Sequence, residues 1–345
     1  MKITNCLLLL FLFINISAIA HTPIPKLTDR SKQGILAYFK TVVKNGQVIV
    51  GQQCSQSPDV ALEYKKNFQR LYDSTGRYPA LLGLDYGYFE HIDFAQTNNY
   101  AIKHWRNGGL VTLSWHADCP FSEGYNVRLN TIENKNIIDL KKLLKDAPES
   151  KEKAGYRAEL ANVAKALVQL KGAGLTVLWR PFHEMNGTWF WWGTNDQHNP
   201  TNQKDYAALW QDMYQTFTKD YGLDNLIWIY APNIAGNYFP APGVFYPGDS
   251  YVDIVALDNY PKVPAFDDYP ELSKLGKIVS DGEVGPHEAS YGTFDEIAVL
   301  NTFKGKAPYF LQWHSWPDAK VNIVDNKNAK ALMNDAAAIT LDKIR

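Results

Sequence analysis

The chain has 345 residues, with 35 Lys or Arg against 36 Asp or Glu, so its formal net charge at neutral pH is −1. Neither sign of charge forms a long run, which excludes a basic nucleic-acid interface or a polybasic membrane patch as the basis of its function. A hydrophobic fraction of 46% is ample for a core, and barrels of alternating strands and helices reach this length as one domain.

The first twenty residues have the pattern of a secretory signal peptide. Lys2 precedes an apolar run at residues 7–13, and small residues follow up to Ala20. The run is shorter than the roughly 20 residues that a membrane-spanning helix needs, and no other stretch approaches that length. We therefore expect residues 1–20 to be cleaved on export and residues 21–345 to form one secreted domain without a membrane anchor.

Eight short apolar runs, rich in Val, Ile, Leu and aromatic residues, predict eight β-strands. They lie at residues 48–51, 81–85, 110–115, 176–182, 226–231, 252–259, 278–283 and 309–313. Helical patterns separate them, most clearly at 157–171 and at 205–221, which ends before Gly222. Continuous apolar strands that alternate with helices indicate parallel strands buried on both faces. The predicted fold is a single (β/α)8 barrel.

A doubly wound open sheet is the alternative fold for this pattern. Its usual nucleotide-binding loop is missing, because Gly172 and Gly174 precede a strand instead of following one, and Val177 stands where a third glycine would be. The segment 130–153 is charged and polar, so we expect a surface excursion there rather than a second domain.

Cys54 and Cys119 are the two cysteines that follow the signal sequence. An oxidising compartment could join them in one disulfide, and the alternative is two buried thiols. Two cysteines in so long a chain cannot build a disulfide-dependent scaffold, so the fold must be stabilised by its core.

Polar and aromatic residues follow all eight predicted strands. They are Gln52-Gln53, Asp85-Tyr86, Trp115-His116, His183-Glu184-Met185-Asn186, Pro232-Asn233, Asp258-Asn259-Tyr260, Asp281-Gly282-Glu283 and Trp313-His314. The chemistry of such barrels lies at the C-terminal ends of the strands. Eight polar strand ends together therefore predict an assembled site.

Two of these residues are glutamates, Glu184 after the fourth strand and Glu283 at the end of the seventh. Opposite sides of a small barrel mouth can bring two carboxyl groups to about 5 to 5.5 Å, the separation at which a retaining glycosidase pairs a nucleophile with a proton donor. A strand-end glutamate by itself is more often a surface ion pair or a helix-cap contact. The pairing favours hydrolysis of a glycosidic bond.

Tryptophans near these glutamates strengthen that interpretation, because indoles offer wide apolar platforms for the C–H faces of sugar rings. The aromatic residues concerned are Trp115, Trp189, Trp191, Trp192, Tyr260, Trp313 and Trp316. We expect one or two of them, such as Trp191, to belong to the core instead.

Other kinds of site fit the sequence less well. A metallohydrolase could draw on His116, Asp118, His183 and Glu184. However, Gly187 stands where a zincin would carry its second histidine, and no Gly-x-Ser-x-Gly elbow of a serine hydrolase occurs. A non-catalytic sugar-binding protein would keep the tryptophans but need neither glutamate. We expect neither a metal nor an organic cofactor.

Residues 179–193 read Trp-Arg-Pro-Phe-His-Glu-Met-Asn-Gly-Thr-Trp-Phe-Trp-Trp-Gly, which resembles the acid/base signature of glycoside hydrolase family 26. The likeness continues in order through residues 114–116, 258–260, 282–286 and 309–313. It implies a (β/α)8 barrel and a double displacement that retains the anomeric configuration. The best-known members of that family are β-mannanases, so the resemblance implies endo-cleavage of mannan, glucomannan or galactomannan.

The resemblance also implies roles for individual residues. Glu184 matches the acid/base and Glu283 the nucleophile. His183 matches a histidine that supports the nucleophile by hydrogen bonding, and Tyr260 matches an aromatic hydroxyl close to it. The sugar subsites next to the scissile bond are matched by His116, Trp189 and Trp313.

Several alternatives remain open at this level. Arg180 could steady the nucleophile or form a buried structural ion pair. His314 stands where some mannanases of the family carry Arg, and residues 117–125 do not align. The runner-up substrates are β-1,3-xylan and mixed-linkage β-glucan, and release of mannobiose from chain ends is the alternative to internal cleavage. We expect the protein to be a monomer.

Overall fold

The computed structural model describes residues 22–54, 58–87, 93–128 and 137–345. The expected signal peptide, residues 1–20, lies outside these ranges. Within them, no helix is both long enough and apolar enough to cross a membrane.

All eight predicted strands form. Their bounds are β1 Val48–Gln53, β2 Leu81–Asp85, β3 Leu110–Trp115, β4 Val177–Pro181, β5 Leu226–Tyr230, β6 Ile254–Asn259, β7 Ile278–Val284 and β8 Tyr309–Gln312. The bounds of β2 and β3 coincide with the prediction, and those of the others differ by at most two residues at either end, the usual scatter of strand ends. Apart from Ile278, every strand residue is buried, as the continuous apolar runs indicated.

The strands close into an eight-stranded parallel barrel. Each strand pairs with the next along the chain, and β8 pairs with β1 to complete the ring. A short ninth strand, β9 Ala338–Ile339, adds to the beginning of β1 and was not predicted, because two residues are too few to show a period. The predicted (β/α)8 barrel is confirmed.

Helices lie between the strands. They are α1 Lys32–Lys44, α2 Val60–Glu63, α3 Arg70–Thr75, α4 Phe94–Arg106, α5 Lys151–Gly172, α6 Gln203–Gln215, α7 Tyr269–Ser273, α8 Glu296–Phe303, α9 Ala329–Asn334 and α10 Leu341–Ile344. The predicted helix 157–171 lies within α5, and the predicted helix 205–221 is α6 followed by a π-helical turn, Thr216–Asp220. Gly222, at φ +63°, follows in the left-handed conformation that commonly ends helices.

The segment expected to be a surface excursion, 130–153, is described from residue 137 onward. The described part lies mainly at the surface, where most of its side chains are exposed or half-buried. Leu140 and Leu143 are buried, and the ammonium group of Lys153 donates to the carbonyl of Lys145 at 2.8 Å. The amide of Lys145 donates to Asp212 in α6 at 2.9 Å, and Arg157 in α5 donates to the carbonyl of Leu143 at 2.9 Å, so hydrogen bonds join the segment to two helices.

Cys54 and Cys119 are buried free thiols, so the structure has the second of the two alternatives and no disulfide joins them. Burial raises the pKa of both thiols, that of Cys119 to about 11. Both therefore remain protonated at neutral pH and pack as small apolar groups.

Candidate active site

A cleft of about 990 Å³ opens at the C-terminal ends of the barrel strands. Six of the predicted site residues line it: His116, His183, Glu184, Tyr260, Glu283 and Trp313. Two others adjoin it, since Trp189 hydrogen-bonds to Glu184 and Arg180 to Glu283. Glu184 lies three residues after β4, and Glu283 lies within β7 near its end, so the two glutamates belong to the expected strands.

Glu184 follows β4 in a backbone conformation that few side chains adopt. Phe182 and Glu184 have φ values of 45° and 54°, in the left-handed region that costs a residue other than glycine about 1–3 kcal/mol. Hydrogen bonds hold this turn in place. The Glu184 amide donates to the carbonyl of Ala231 at 2.7 Å, and the indole of Trp192 donates to the carbonyl of His183 at 2.8 Å. The turn places the Glu184 carboxyl in the mouth of the barrel.

The Glu184 carboxyl lies in surroundings that favour its protonated form. Burial raises its pKa to about 8, with repulsion from Glu283 as the second cause. Its Oε2 accepts a hydrogen bond from Trp189 Nε1 at 2.5 Å, which opposes that rise. Gly187 makes room for this contact, because a Cβ there would lie 2.2 Å from the Trp189 ring. Glu184 is therefore mostly a neutral acid at neutral pH.

Glu283 lies in the opposite kind of environment. Its Oε1 accepts from Arg180 Nη2 at 2.6 Å, and its Oε2 accepts from the Tyr260 hydroxyl at 2.7 Å. Burial disfavours the charge on Arg180, but Asp258 and Glu283 outweigh it and raise the Arg180 pKa, so the guanidinium stays charged. Burial, and then Glu283, raise the pKa of Tyr260, so its hydroxyl remains a donor. A cation and a donor thus face the two oxygens of one carboxylate.

A β-bulge brings this cluster together. The register between β6 and β7 shifts after Leu257, so that Asp258 lies opposite Glu283 and Gly282 is passed over. A Cβ on Gly282 would lie 2.4 Å from Asp258 Oδ1, so only glycine fits between the strands. Asp258 Oδ2 then accepts from Arg180 Nη1 at 2.7 Å. Arg180 therefore bonds to Glu283 and also forms a buried ion pair with Asp258.

The expected hydrogen bond from His183 to Glu283 is not formed. His183 Nε2 lies 3.7 Å from Glu283 Oε1, which is beyond hydrogen-bonding distance. Burial, and then the charge of Arg180, hold the pKa of His183 well below its usual range, so the ring is neutral. It packs edge-on against His116, whose Nδ1 lies 2.7 Å from Asp85 Oδ2. Arg180 and Tyr260 occupy the positions that His183 was expected to fill.

Trp115 was expected to be a sugar platform, and this was wrong. It is fully buried behind the barrel wall, stacks on Tyr156 and Trp179, and its indole donates to Glu159 at 3.1 Å. Trp191 is fully buried, as expected of a core residue, and so is Trp192. Trp313 is 5% exposed and forms part of the cleft surface.

The metal ligands considered from the sequence do not come together as proposed. Within the described ranges, the grouping close enough to share an ion is His183, Asp258 and Glu283, whose ligand atoms lie within 4.8 Å of one another. The Arg180 guanidinium already bonds to both of these carboxylates. A resident cation at that place would face the fixed positive charge of Arg180 at close range.

Many cleft residues gave no recognisable signal in the sequence. They come from the helical segment after β1 and from the loops after β3, β7 and β8, and they include Glu63, Lys66, Asn67, Arg70, Arg128, His287, Glu288, Tyr291 and Ser315. None belongs to the polar residues that directly follow a strand. Only the path of the chain between the strands brings them to the cleft.

Comparisons with known proteins agree with this fold. Residues 25–343 match the model of glycosyl hydrolase family 26. The chain is 36% identical over 290 residues to a mannan endo-1,4-beta-mannosidase of Bacillus subtilis, covering 80% of this chain and 76% of that protein. It is 33% identical to the mannan endo-1,4-beta-mannosidase of Bacillus subtilis strain 168, covering 97% and 95% of the two chains. A solved structure of a Bacillus subtilis mannanase aligns with a TM-score of 0.78 at 30% identity, covering 92% and 96%. The chain therefore belongs to glycosyl hydrolase family 26.

Proposed function

We propose that the protein is a retaining endo-β-1,4-mannanase, with Glu184 as acid/base and Glu283 as nucleophile. The observation that carries the proposal is the unequal surroundings of the two glutamates. Glu283 meets Arg180 and Tyr260 on its two oxygens, whereas the pKa of Glu184 is raised to about 8. One carboxylate is thus held ready to attack while the other holds a proton.

In the first step, a Glu283 oxygen attacks the anomeric carbon as the bond to the leaving sugar oxygen breaks. Glu184 gives its proton to that oxygen. Because Oε2 of Glu184 accepts from Trp189, the proton belongs on Oε1. The product is a sugar esterified to Glu283 and a free fragment with a new hydroxyl.

In the second step, water attacks the anomeric carbon and Glu184, now a carboxylate, takes its proton. The ester bond to Glu283 breaks and the carboxylate is restored beside Arg180 and Tyr260. Two inversions give net retention. Positive charge and a hydrogen-bond donor at Glu283 stabilise the departing carboxylate, which is the state that they contact in the free enzyme.

Substrate-binding roles follow from position in the cleft. His116, Tyr260 and Trp313 line the mouth around Glu283, and Trp189 lies beside Glu184. We assign these side chains to the sugars on either side of the scissile bond. The substrate is β-mannan as polysaccharide or oligosaccharide, and no metal or organic cofactor takes part.

We further propose that the chain acts outside the cell as a monomer, with residues 1–20 as a signal peptide and residues 21–345 as one catalytic domain. Mass spectrometry of the exported protein should find its N-terminus at His21. A mature protein that begins elsewhere would contradict the cleavage site.

The substrate assignment is tested by product profiles. The purified protein should release short β-1,4-manno-oligosaccharides from linear mannan and glucomannan, and should cut reduced manno-hexaose at internal bonds. Predominant turnover of β-1,3-xylan or lichenan would overturn the mannanase assignment. Mannobiose as the sole early product would overturn internal cleavage.

A further inference from the structure

Asp85, at the end of β2, is a buried carboxyl group that the proposed mechanism does not use. Its side chain is fully buried, and its Oδ2 lies 2.7 Å from Nδ1 of His116. The hydroxyl of Ser114 donates to the same oxygen. Both partners belong to the end of the neighbouring strand β3, and such hydrogen bonds are what allow a carboxylate to be buried.

The contact with Asp85 fixes which nitrogen of the His116 ring carries a proton. An ionised carboxylate can only accept hydrogen bonds, so Nδ1 donates and carries a hydrogen. A neutral imidazole has a single N–H group, so its other nitrogen, Nε2, keeps a lone pair and accepts. Asp85 therefore sets the hydrogen-bonding character of a ring that lines the cleft.

Packing holds the His116 ring in one orientation. The ring meets His183 edge-to-face with centroids 4.5 Å apart, and it meets Phe190 edge-to-face at 5.3 Å. The backbone is held as well, because the Tyr125 hydroxyl donates to the His116 carbonyl at 3.0 Å. A Cβ on Gly87 would lie 2.1 Å from that carbonyl oxygen, so the chain packs closely there. Nε2 is thus presented to the cleft from a fixed ring, without an ordering cost on binding.

The His116 ring also lies close to the nucleophile. It contacts His183, whose Nε2 is 3.7 Å from Glu283 Oε1, and both histidines line the cleft together with Glu283. A sugar that is attacked by Glu283 therefore lies within reach of the His116 ring. Sugar hydroxyls can donate hydrogen bonds, and a ring nitrogen with a lone pair can accept one.

We infer that Asp85 is a positioning residue for the proposed reaction. By accepting from Nδ1 of His116, it keeps Nε2 as the acceptor for a hydroxyl of the sugar that Glu283 attacks. This inference rests on the proposed function. Asp85 is buried behind the ring and acts on the sugar only through His116, so its substitution should matter only while that ring is present.

The informative substitution is Asp85→Asn, which keeps the shape of the side chain. Asp85 Oδ1 is buried and has no hydrogen-bond partner among the described residues. The NH2 group of an asparagine would be unsatisfied at that place, so it should take the place of Oδ2 and donate to Nδ1 of His116. The ring would then carry its proton on Nε2 and offer the sugar a donor instead of an acceptor.

The first test is a double-mutant cycle on reduced manno-hexaose with the parent, Asp85→Asn, His116→Ala and the double variant. Asp85→Asn should lower kcat/KM about ten- to hundredfold, the effect of one lost hydrogen bond whose partner is left unsatisfied. In the His116→Ala background the same substitution should have almost no further effect. Equal losses in the two backgrounds would overturn the inference, because Asp85 would then act independently of the ring.

The second test locates the proton directly and needs no substrate. Nitrogen NMR of protein with isotope-labelled histidine reports which ring nitrogen is protonated, and the His116 signals are identified by their loss in His116→Ala. The neutral ring should carry its proton on Nδ1 in the parent and on Nε2 in Asp85→Asn. A parent ring that is neutral and protonated on Nε2 would overturn the inference, whether or not Asp85→Asn folds.

Glu159→Gln is the matched control, because it exchanges a carboxyl group for an amide behind the barrel wall. Glu159 accepts from the Trp115 indole at 3.1 Å and from the Asp118 amide at 3.2 Å. The control should keep the parental kcat/KM and the parental His116 proton, and an equal change in both would overturn a specific role of Asp85. If the parent cuts another β-glycan instead of mannan, the proposed substrate fails. The same cycle on a reduced hexamer of that glycan still tests Asp85.

Discussion

The two glutamates share one cleft and one side-chain chemistry, yet their surroundings differ in kind. Glu283 lies on a β-strand, and its carboxylate accepts hydrogen bonds from the Arg180 guanidinium and the Tyr260 hydroxyl. Glu184 lies on a strained turn, and its carboxyl group accepts one hydrogen bond from the Trp189 indole. The difference teaches that neighbouring groups, and not the residue type, can give two glutamates the opposite protonation states that the proposed roles require. Substitutions at and around the two carboxyl groups can test this contrast.

Removing the nucleophile should have the largest effect on activity. Glu283→Ala should lower kcat on mannan at least about 10⁴-fold, because no other carboxylate can form the ester. Added azide should restore part of the activity with inverted product, since a small anion can fill the gap. Product configuration is read by NMR at early times. Near-parental turnover without azide would show that Glu283 is not the nucleophile.

Removing the acid should cost less than removing the nucleophile, because proton donation by one side chain typically contributes less to the rate than the covalent bond formed by the other. Glu184→Ala should lower kcat on mannan about 10²–10⁴-fold. On an aryl mannobioside with an acidic phenol, kcat/KM reports formation of the ester and should fall much less. The kcat on that substrate should stay low, because Glu184 also activates the water of the second step. Equal losses of kcat/KM on both substrates would contradict the acid role.

Changing Arg180 tests the positive charge at Glu283. Arg180→Met leaves two buried carboxylates without their cation, so the free energy of unfolding should fall by about 3–5 kcal/mol, and kcat/KM should fall with it. Chemical denaturation and kinetics measure the two effects. Arg180→Lys, which keeps the charge but not the fork, should lose less stability. Parental stability in Arg180→Met would contradict the ion-pair cluster.

Changing Trp189 tests the hydrogen bond that lowers the pKa of Glu184, and the effect is measured by pH dependence. The acid form of Glu184 is the active form in the first step, so kcat/KM should fall as pH rises through its pKa of about 8. The Trp189 hydrogen bond lowers this pKa, so Trp189→Phe should raise it and move the alkaline limb to higher pH. The pH profile of kcat/KM measures the shift. A limb that moves to lower pH would be inconsistent with this contact.

Prolonged EDTA treatment should leave the activity unchanged. Arg180 supplies the positive charge among His183, Asp258 and Glu283, so the site needs no ion. Activity before and after chelation is the measurement. A loss that zinc restores would reassign this cluster as a metal site.

Some features of the site were readable from the sequence because they depend on neighbours along the chain. An apolar run that is followed directly by a polar residue indicates a strand and its C-terminal end. This pattern can be recognised from neighbouring residues alone. This is why the bounds of β2 and β3 coincided with the prediction and why Glu184 and Glu283 could be placed at strands four and seven.

Other features were decided only by the tertiary structure. Trp115 was misplaced because a strand buried on both faces gives no alternation from which to tell inward from outward side chains. Arg180 meets Asp258 and Glu283 across 78 and 103 residues, through a bulge at Gly282 that no local pattern marks. The apolar runs and the polar residues after them were enough to predict the barrel and its two carboxylates. Packing across the barrel decided which groups surround each of them, because burial and charge act through space and not along the chain.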